Sequence, residues 1–275
     1  MDYLDKYKKN IEIVKELEKN EEETTISRRG AIEFYKAIRE LLFFDYYNCE
    51  NDYEKVNELI LKAKRCFNRF KCDCSCMEEE SLDFDKFFDS LPELKSLLMK
   101  DVKAIYDGDP ACQNYSEVIL TYPGFVCISA YRIAHKLYEM EYKFVARIIA
   151  EYAHSRTGVD INPGAQIGEY FFIDHGTGIV IGETCVIGNN VKIYQGVTLG
   201  ALSLKEGQKL KGKRRHPKIE DNVTIYSGAS IFGGDTVIGK NSIIGSSAFI
   251  TKSVPENSLV KSKPYDIEII PKNKK

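Results

Sequence analysis

The chain has 275 residues, of which 43% are hydrophobic and 29% charged, a composition typical of a globular protein with a substantial core. Its 39 basic and 41 acidic side chains give a formal net charge of −2, which argues against a nucleic-acid-binding protein, because that function requires a basic face. The lysine- and glutamate-rich residues 1–20 do not match a signal peptide, and no apolar run reaches the roughly 20 residues of a transmembrane helix. We therefore expect a cytoplasmic protein whose partners include neither nucleic acid nor a membrane.

Hydrophobic residues recur at steps of three and four from the start of the chain to about residue 155, which predicts an all-α region. The clearest runs are Leu4–Leu17, Ile32–Leu42 and Leu94–Ile105. A proline and a glycine at 123 and 124 interrupt this pattern before a further predicted helix over 125–138.

Three cysteines, Cys72, Cys74 and Cys76, alternate with other residues in one short segment. A zinc site usually contains two paired C-x2-C units, and this segment has no second half. The spacing favours an exposed loop of reduced thiols, with a labile soft-metal or redox site as the alternative. We predict no structural metal site.

From about residue 156 the period changes to six residues. Aliphatic residues recur at this step thirteen times: Ile161, Ile167, Ile173, Ile181, Ile187, Ile193, Leu199, Ile219, Ile225, Ile231, Ile238, Ile244 and Ile250. A period of six fits neither an α-helix nor simple strand alternation, so each hexad is predicted to form a short strand and a turn, stacked as a solenoid. The glycine or asparagine that follows the aliphatic residue is expected to adopt a positive φ.

The repeat is interrupted at three places, where we expect function, because regular stacking alone would not tolerate the extra residues. Two extra residues fall within Asp174–Gly178, a polar and basic loop occupies 201–217, and one extra residue falls at Gly233–Gly234. The first two interruptions contain His175 and His216.

The histidine at 175 has two interpretations. Backbone groups of a turn could satisfy its ring, or the ring could act as a base. Asp160 lies 15 residues before His175, close to one coil length, so stacked coils would bring this carboxylate beneath the imidazole, leaving one ring nitrogen free to accept a proton. Arg215 and His216 likewise form either a solvated basic loop or part of a binding site.

Seven short motifs, in the same order, resemble those of the serine acetyltransferase family of hexapeptide-repeat acyltransferases. They are Asp109-Pro-Ala-Cys112, Ala130-Tyr-Arg-Ile-Ala-His135, Val159-Asp-Ile-Asn-Pro163, Asp174-His-Gly-Thr-Gly178, Gly182-Glu-Thr184, Val197-Thr-Leu-Gly200 and Arg215-His-Pro-Lys-Ile219. The resemblance covers roughly residues 101–260.

This resemblance implies an α plus β-solenoid fold, in which an N-terminal all-α domain precedes a left-handed parallel β-helix. About three hexads form one coil in that family, so thirteen hexads predict a little over four coils. We expect a helical domain at 1–155, a β-helix catalytic domain at 156–260 with an excursion loop at 201–217, and a C-terminal tail at 261–275.

The resemblance also implies a function. The chain would be an acetyl-CoA-dependent O-acyltransferase that acetylates the hydroxyl of L-serine, giving O-acetyl-L-serine and CoA in cysteine biosynthesis. His175 would be the general base, with Asp160 as its orienting partner. No cofactor would be bound permanently, since acetyl-CoA is a co-substrate.

The same resemblance assigns the substrate contacts. The carboxylate of serine would bind Arg215 and His216, because a guanidinium can bind a carboxylate through two hydrogen bonds. The ammonium group would bind Asp109 and Asp174. CoA would lie in the groove between two β-helices of a homotrimer, against Gly200, Ala201, Ser227, Gly228 and Ser246.

Regulation and assembly follow from the resemblance as well. L-cysteine differs from L-serine by one atom and is expected to inhibit at the serine site, and a dimer of trimers is the alternative assembly. The family's Gly-x-Pro-Ala-Arg segment is replaced here by Ser262-Lys-Pro-Tyr-Asp266, so Lys261 or Lys263 would have to replace a lost arginine contact. The tail, Pro271–Lys275, does not end in isoleucine, which predicts no stable complex with O-acetylserine sulfhydrylase.

Three other functions compete with this one. An acetyltransferase of the same fold could act on a sugar or another hydroxyl or amine, although Arg215 and His216 favour an amino-acid carboxylate. A metal-dependent solenoid of the carbonic-anhydrase type needs about three convergent histidines, and this solenoid has two. A non-catalytic scaffold would need no Asp-His pair in an interrupted repeat.

Overall fold

The computed structural model describes residues 26–47, 52–70 and 80–262, and for residues 80–82 the backbone only. The predicted helix over Leu4–Leu17 and the cysteines Cys72, Cys74 and Cys76 lie outside the described residues, and those predictions remain open. Among the described helices, none combines the length and apolar character needed to cross a membrane.

Helices make up the first half of the described chain, as the spacing of its hydrophobic residues predicts. They are α1 (Arg28–Leu42), α2 (Phe44–Tyr47), α3 (Tyr53–Phe67), α4 (Glu80–Asp89), α5 (Leu91–Gly108), α6 (Tyr115–Thr121), α7 (Pro123–Glu139) and α8 (Lys143–Thr157). Side chains cap several of them: Ser27 Oγ accepts a hydrogen bond from Gly30 N at 3.1 Å, and Asp52 Oδ1 accepts one from Lys55 N at 2.9 Å. α8 ends at Gly158, whose φ of 76° favours glycine, and the chain then enters the first strand.

A buried ion pair fixes the helices to the solenoid. Arg132 on α7 donates to Asp101 on α5, with an Nε–Oδ2 distance of 3.0 Å and an Nη2–Oδ1 distance of 3.1 Å. The same guanidinium donates to the carbonyl oxygens of Ile167 and Gly168, each at 2.6 Å. Phe171 N donates to Asp101 Oδ1 at 2.9 Å. These hydrogen bonds compensate for the hydration that the two buried charges lose. Since the pair joins α5 and α7 to the first coil of the solenoid, it fixes the position of that coil relative to the helices.

The second half is a three-sided parallel β-helix. Its strands are β1 (Asp160–Ile161), β2 (Gln166–Ile167), β3 (Phe172–Ile173), β4 (Val180–Ile181), β5 (Val186–Ile187), β6 (Lys192–Ile193), β7 (Thr198–Gly200), β8 (Lys218–Ile219), β9 (Thr224–Ile225), β10 (Ser230–Phe232), β11 (Val237–Ile238), β12 (Ile243–Ile244), β13 (Phe249–Ile250) and β14 (Leu259–Val260). They form sheet A (β1-β4-β7-β10-β13), sheet B (β2-β5-β8-β11) and sheet C (β3-β6-β9-β12-β14). The register stacks the aliphatic residues of the hexads: Ile181 pairs with Ile161 on one side and Leu199 on the other. These side chains fill the core, as predicted.

The solenoid is longer than the sequence predicts. Fourteen strands and an isolated bridge at Val254 make five coils in the described part of the chain, where thirteen hexads predict a little over four. The step from Ile250 to Val254 is four rather than six residues, so the last coil does not follow the repeat.

Positive φ values occur in the turns, but the prediction that the residue directly after each aliphatic residue adopts them is wrong. Gly188, directly after an aliphatic residue, has no positive φ; it leaves room for the next coil, because a Cβ there would lie 2.9 Å from Asp221 N. The positive φ values of 55°, 59° and 59° belong to Asn190, Asn222 and Asn241, which stack at the corner between sheets B and C. Asparagine tolerates this left-handed conformation better than most residues.

The three interruptions of the repeat lie on either side of sheet A. The C–A corner, where the chain passes from sheet C to sheet A, contains Asp174–Gly178. The A–B corner contains the loop 201–217, with a 3-10 turn at Gly207–Leu210, and also Gly233–Gly234. The returning loop lies over this glycine pair, since a Cβ on Gly234 would lie 2.8 Å from the carbonyl oxygen of Arg214.

Candidate active site

The turn at the C–A corner holds an imidazole away from the solenoid. His175 and Gly176 have φ values of 57° and 60°, so two consecutive residues are left-handed. His175 N donates to Asp174 Oδ1 at 2.7 Å, and the ring Nε2 lies 3.8 Å from Asp174 Oδ2. The His175 side chain is 63% exposed. The histidine is therefore not packed inward, and no backbone group of the described residues bonds to its ring.

The start of α7 packs closely against this turn. A Cβ on Gly176 would lie 2.5 Å from Gly124 N and 2.9 Å from Pro123 C, so only glycine fits between the two segments. A Cβ on Gly124 would in turn collide with the carbonyl oxygen of Ile173. The proline-glycine pair that interrupts the helical pattern of the sequence thus provides the close contact that positions His175.

A second carboxylate lies near the same imidazole. Asp109 follows α5 and accepts hydrogen bonds from Tyr122 Oη at 2.6 Å and from Ala111 N at 2.8 Å. The Tyr122 hydrogen bond is the main cause that lowers the pKa of Asp109, and the positive charge of a protonated His175 adds to it. Burial and the Asp109 carboxylate raise the pKa of Tyr122, which therefore remains a donor. Tyr122 is not among the site residues predicted from the sequence. The sequence feature that could have identified it is its position directly before Pro123 and Gly124.

Asp160 does not lie beneath His175 within one chain. The two extra residues of the C–A turn lengthen the first coil, so Asp160 pairs in register with Val180. Its carboxylate lies 3.9 Å from Arg147 Nη1, on the outer face of sheet A. The expectation that one chain stacks Asp160 against His175 is therefore wrong.

Asp160 instead belongs to a cluster with Glu151 and His154, whose potential ligand atoms lie within 4.8 Å of one another. Arg147 pairs with both carboxylates of this cluster. The guanidinium already supplies the positive charge that a metal ion would bring, so the cluster is explained as an ion-pair network.

The residues at the A–B corner are held by Gly182–Thr184, a motif to which the sequence assigned no role. Thr184 Oγ1 accepts from Arg215 N at 2.9 Å and from His216 N at 3.1 Å. Glu183 pairs with Arg215 Nη2, and Arg215 Nη1 lies 3.5 Å and 3.3 Å from the carbonyl oxygens of residues 210 and 213. Of the five guanidinium N–H groups, three are engaged and two have no partner among the described residues.

The imidazole of His216 is buried, with 7% of the residue exposed. Its Nδ1 lies 3.1 Å from Thr184 N and 2.8 Å from Thr184 Oγ1. The backbone N–H can only donate, which assigns Nδ1 as the acceptor and leaves the proton on Nε2. Burial, followed by the charge of Arg215, lowers the pKa of His216 to about 4. His216 is therefore neutral near pH 7 and offers an N–H donor rather than a positive charge.

The residues predicted to contact CoA divide between the two corners. Ser227 Oγ and Ser246 Oγ lie 3.3 Å apart, and Gly228 has a φ of 69°. A Cβ on Gly200 would lie 2.6 Å from Phe232 Cε1, so the backbone there is closely packed. The C–A corner contains Ser227, Gly228 and Ser246, and the A–B corner contains Gly200 and Ala201.

All predicted site residues except Asp160 thus form two groups that flank sheet A. One group, at the C–A corner, is Asp109, Asp174 and His175, and the other, at the A–B corner, is Arg215 and His216. In the described part of the chain, no hydrogen bond or ion pair joins the two groups. In a single β-helix, these two groups of site residues therefore lie on different corners.

Comparison with known proteins gives consistent matches. A family model described as the N-terminal part of serine acetyltransferase matches residues 71–130. A serine acetyltransferase from Synechococcus elongatus is 54% identical over 177 residues, which are 63% of this chain and 55% of the relative. The chain therefore spans about half the length of that curated relative.

Solved structures match over a larger share. The crystal structure of serine acetyltransferase isoform 3 from Entamoeba histolytica, in complex with cysteine, is 33% identical, with a TM-score of 0.76 over 88% of this chain and 84% of that chain. The structure of Neisseria gonorrhoeae serine acetyltransferase in complex with serine is 32% identical, with a TM-score of 0.60 over 84% of this chain and 95% of that chain. These matches confirm the fold class expected from the sequence, a helical region followed by a left-handed parallel β-helix.

Proposed function

The chain belongs to the serine acetyltransferase family, and we propose that it transfers the acetyl group of acetyl-CoA to the hydroxyl of L-serine. The products would be O-acetyl-L-serine and CoA, on the route to cysteine. The observation that carries this proposal is the left-handed turn at the C–A corner, which holds the imidazole of His175 exposed, 3.8 Å from Asp174 and near the carboxylate of Asp109.

His175 would act as the general base. The serine hydroxyl is a weak nucleophile, so its proton must leave as the oxygen attacks the thioester carbonyl carbon. The imidazole accepts that proton, the C–S bond breaks, and the proton then passes to the departing CoA thiolate. Positioned base catalysis of this kind contributes about 10²–10⁴-fold. A backbone N–H near Gly200 is proposed to stabilise the oxyanion.

Serine would be held by its two charged ends. Asp109 and Asp174 suit its ammonium group, and the low pKa of Asp109 keeps that carboxylate ionised. Arg215 has two N–H groups left to bind the carboxylate, and the neutral His216 contributes a hydrogen bond.

These two ends lie on different corners of one β-helix, so we propose that the site forms between two chains of a homotrimer. The C–A corner of one chain would meet the A–B corner of its neighbour across sheet A. Phe249, on the outer face of that sheet, is 73% exposed, which is consistent with a covered face in the assembly. CoA would lie in the same groove, against Gly200 and Ala201 of one chain and Ser227, Gly228 and Ser246 of the other.

In this proposal, Asp160 orients the ring of His175 only if that ring belongs to a neighbouring chain of the assembly. Its carboxylate lies on the outer face of sheet A, which is the face that a neighbouring chain would cover. A neighbour's His175 could then reach it, whereas the His175 of the same chain does not.

L-cysteine would inhibit by occupying the serine site, since it carries the same ammonium and carboxylate groups. A homotrimer, alone or as a dimer of trimers, a cytoplasmic location, and the lack of a stable complex with O-acetylserine sulfhydrylase complete the proposal. The tail residues that bear on that complex lie outside the described part of the chain.

A thiol-release assay tests the function directly. With acetyl-CoA and L-serine, we expect steady release of CoA that depends on serine and falls when L-cysteine is added. Galactosides and other hydroxyl acceptors serve as the matched controls. Equal release with a sugar acceptor and with serine would contradict the proposal.

A further inference from the structure

A cavity of about 430 Å³ lies in the helical region, and of its lining residues Pro123 also packs against Gly176 at the C–A corner. It is lined by residues of α1, α2, the α6–α7 junction and the C-terminal end of α8, it opens to solvent, and its volume falls within the range of small-molecule sites. None of the residues assigned above to serine or CoA lines it. Its lining residues include Tyr35, Lys36, Arg39, Tyr152 and Arg156.

The charge of the lining is strongly positive. Lys36, Arg39 and Arg156 contribute three cations, and Glu40 is the one carboxylate among the lining residues described. Lys36 pairs with Glu33 outside the cavity at 3.3 Å, but the structure gives Arg156, on the exposed last turn of α8, no ion pair or hydrogen bond with any other described residue. This excess of positive charge is suited to an anion.

Two buried polar atoms at the cavity have no well-formed hydrogen bond among the described residues. Tyr35 is 3% exposed, and its hydroxyl makes no well-formed hydrogen bond with the described residues. The Ser129 hydroxyl lies near it, but Ser129 Oγ donates to the carbonyl oxygen of Val126 at 3.0 Å. Arg39 Nε is also unpartnered, although Arg39 Nη2 donates to Ile119 O at 2.9 Å. An unsatisfied buried donor costs about 1–3 kcal/mol, so native structures usually provide such a donor with a partner.

The rings at the cavity favour a compact anion over a flat aromatic ligand. The guanidinium of Arg39 lies 5.6 Å from the ring centroid of Tyr47, and the ammonium of Lys36 lies 5.9 Å from that of Tyr152. These cation–π contacts occupy the ring faces and hold the cations in place. What remains is a set of N–H and O–H donors around the cavity.

We propose that this cavity binds the phosphate group of a small molecule, at a site separate from the acetyl-transfer site. A phosphate dianion offers several acceptor oxygens, enough for the Tyr35 hydroxyl, the free N–H of Arg39 and the guanidinium of Arg156. The proposal concerns binding only, and does not depend on the acetyl-transfer activity.

The test is calorimetric titration of the full-length protein with inorganic phosphate and, separately, with glycerol 3-phosphate, at constant ionic strength. The two probes distinguish free phosphate from an organic phosphate as the better ligand, and binding of either supports the site. Tyr35→Phe removes only the buried hydroxyl, and Arg156→Gln removes an exposed cation. We expect each to weaken binding at least tenfold, as loss of a hydrogen bond to a charged group does. Arg65→Gln, an exposed arginine on α3 away from the cavity, is the matched control and should bind as the original protein does.

Three results would overturn the proposal. They are no binding of either probe to the unaltered protein, equal binding to Arg156→Gln, and loss of phosphate binding when CoA is saturating, which would place the anion in the CoA groove. If Tyr35→Phe fails to fold, Arg156→Gln still decides the question, because its side chain is exposed and makes no internal contact that folding needs.

Discussion

The two histidines that flank sheet A have the same chemistry and opposite environments. His175 lies on a left-handed turn with 63% of its side chain exposed, and its backbone N–H is fixed by the neighbouring Asp174. His216 is buried under a loop, accepts hydrogen bonds from Thr184, and has its pKa lowered to about 4. The environment of each ring therefore determines its role. The exposed ring is the one proposed as the general base, whereas the buried ring is proposed to act as a neutral hydrogen-bond donor.

The largest effect is expected from His175→Ala. Loss of the general base should lower kcat by about 10²–10⁴-fold while acetyl-CoA binding is unchanged. Steady-state thiol release gives kcat, and calorimetry gives the CoA affinity. His135→Gln is the matched control, because His135 belongs to neither group of site residues and glutamine can replace its hydrogen bond to the backbone oxygen of Pro163 at 2.7 Å. A kcat within tenfold of the original protein would show that His175 is not the base.

The burial of the His216 ring should affect the free energy of unfolding at acidic pH. The unfolded chain protonates His216 below about pH 6.5, whereas the folded chain resists protonation until about pH 4, so protons favour the unfolded state between these values. His216 should therefore lower the free energy of unfolding as pH falls through that window, by up to about 3 kcal/mol. Denaturant unfolding of the original protein and of His216→Gln measures the difference. Parallel stability curves for the two proteins across the window would contradict the buried, neutral assignment.

Arg215→Ala should affect substrate binding more than chemistry. Loss of a charge-assisted hydrogen bond to the serine carboxylate is expected to raise the serine KM by about tenfold, with a smaller change in the KM for acetyl-CoA. Arg214→Ala, the neighbouring residue, is the control, and should leave the serine KM near its original value. If both variants behave alike, Arg215 has no specific contact with serine.

The smallest effect is expected from Tyr122→Phe. The Tyr122 hydrogen bond is the main cause of the low pKa of Asp109, so its removal raises that pKa. Asp109 would then become protonated at a higher pH, so the rise of the serine KM on acidification should begin at a higher pH in Tyr122→Phe than in the original protein. The KM at pH 8 provides the internal control, since Asp109 is ionised there in both proteins. An unchanged pH profile of the serine KM would show that Tyr122 has no influence on the site.

Much of this architecture follows from the sequence. The period of six predicts the stacked aliphatic core, and the interruptions at 174–178 and 201–217 mark both corners that carry the candidate residues. The last coil escapes because the spacing from Ile250 to Val254 is four rather than six. Local spacing predicts an element only where the spacing is regular.

The errors at the site have a different cause. The distance of 15 residues between Asp160 and His175 suggests stacking, but a regular coil spans 18 residues, as from Ile181 to Leu199, and the two extra residues lengthen the first coil to 20, so Asp160 pairs with Val180. The low pKa of His216 depends on burial by a loop, and the role of Thr184 depends on hydrogen bonds across 31 and 32 residues. Neither can be predicted from local sequence.

The central claim is that the base and the carboxylate-binding residues meet only between chains. Mixed assemblies of His175→Ala and Arg215→Ala chains test it most directly, with turnover measured at a low serine concentration where each variant alone is nearly inactive. In a mixed trimer, one chain's intact C–A corner meets its neighbour's intact A–B corner at about a quarter of the sites, so activity should rise well above the mean of the two parents. A mixture that shows only the mean activity of its parents would contradict the claim.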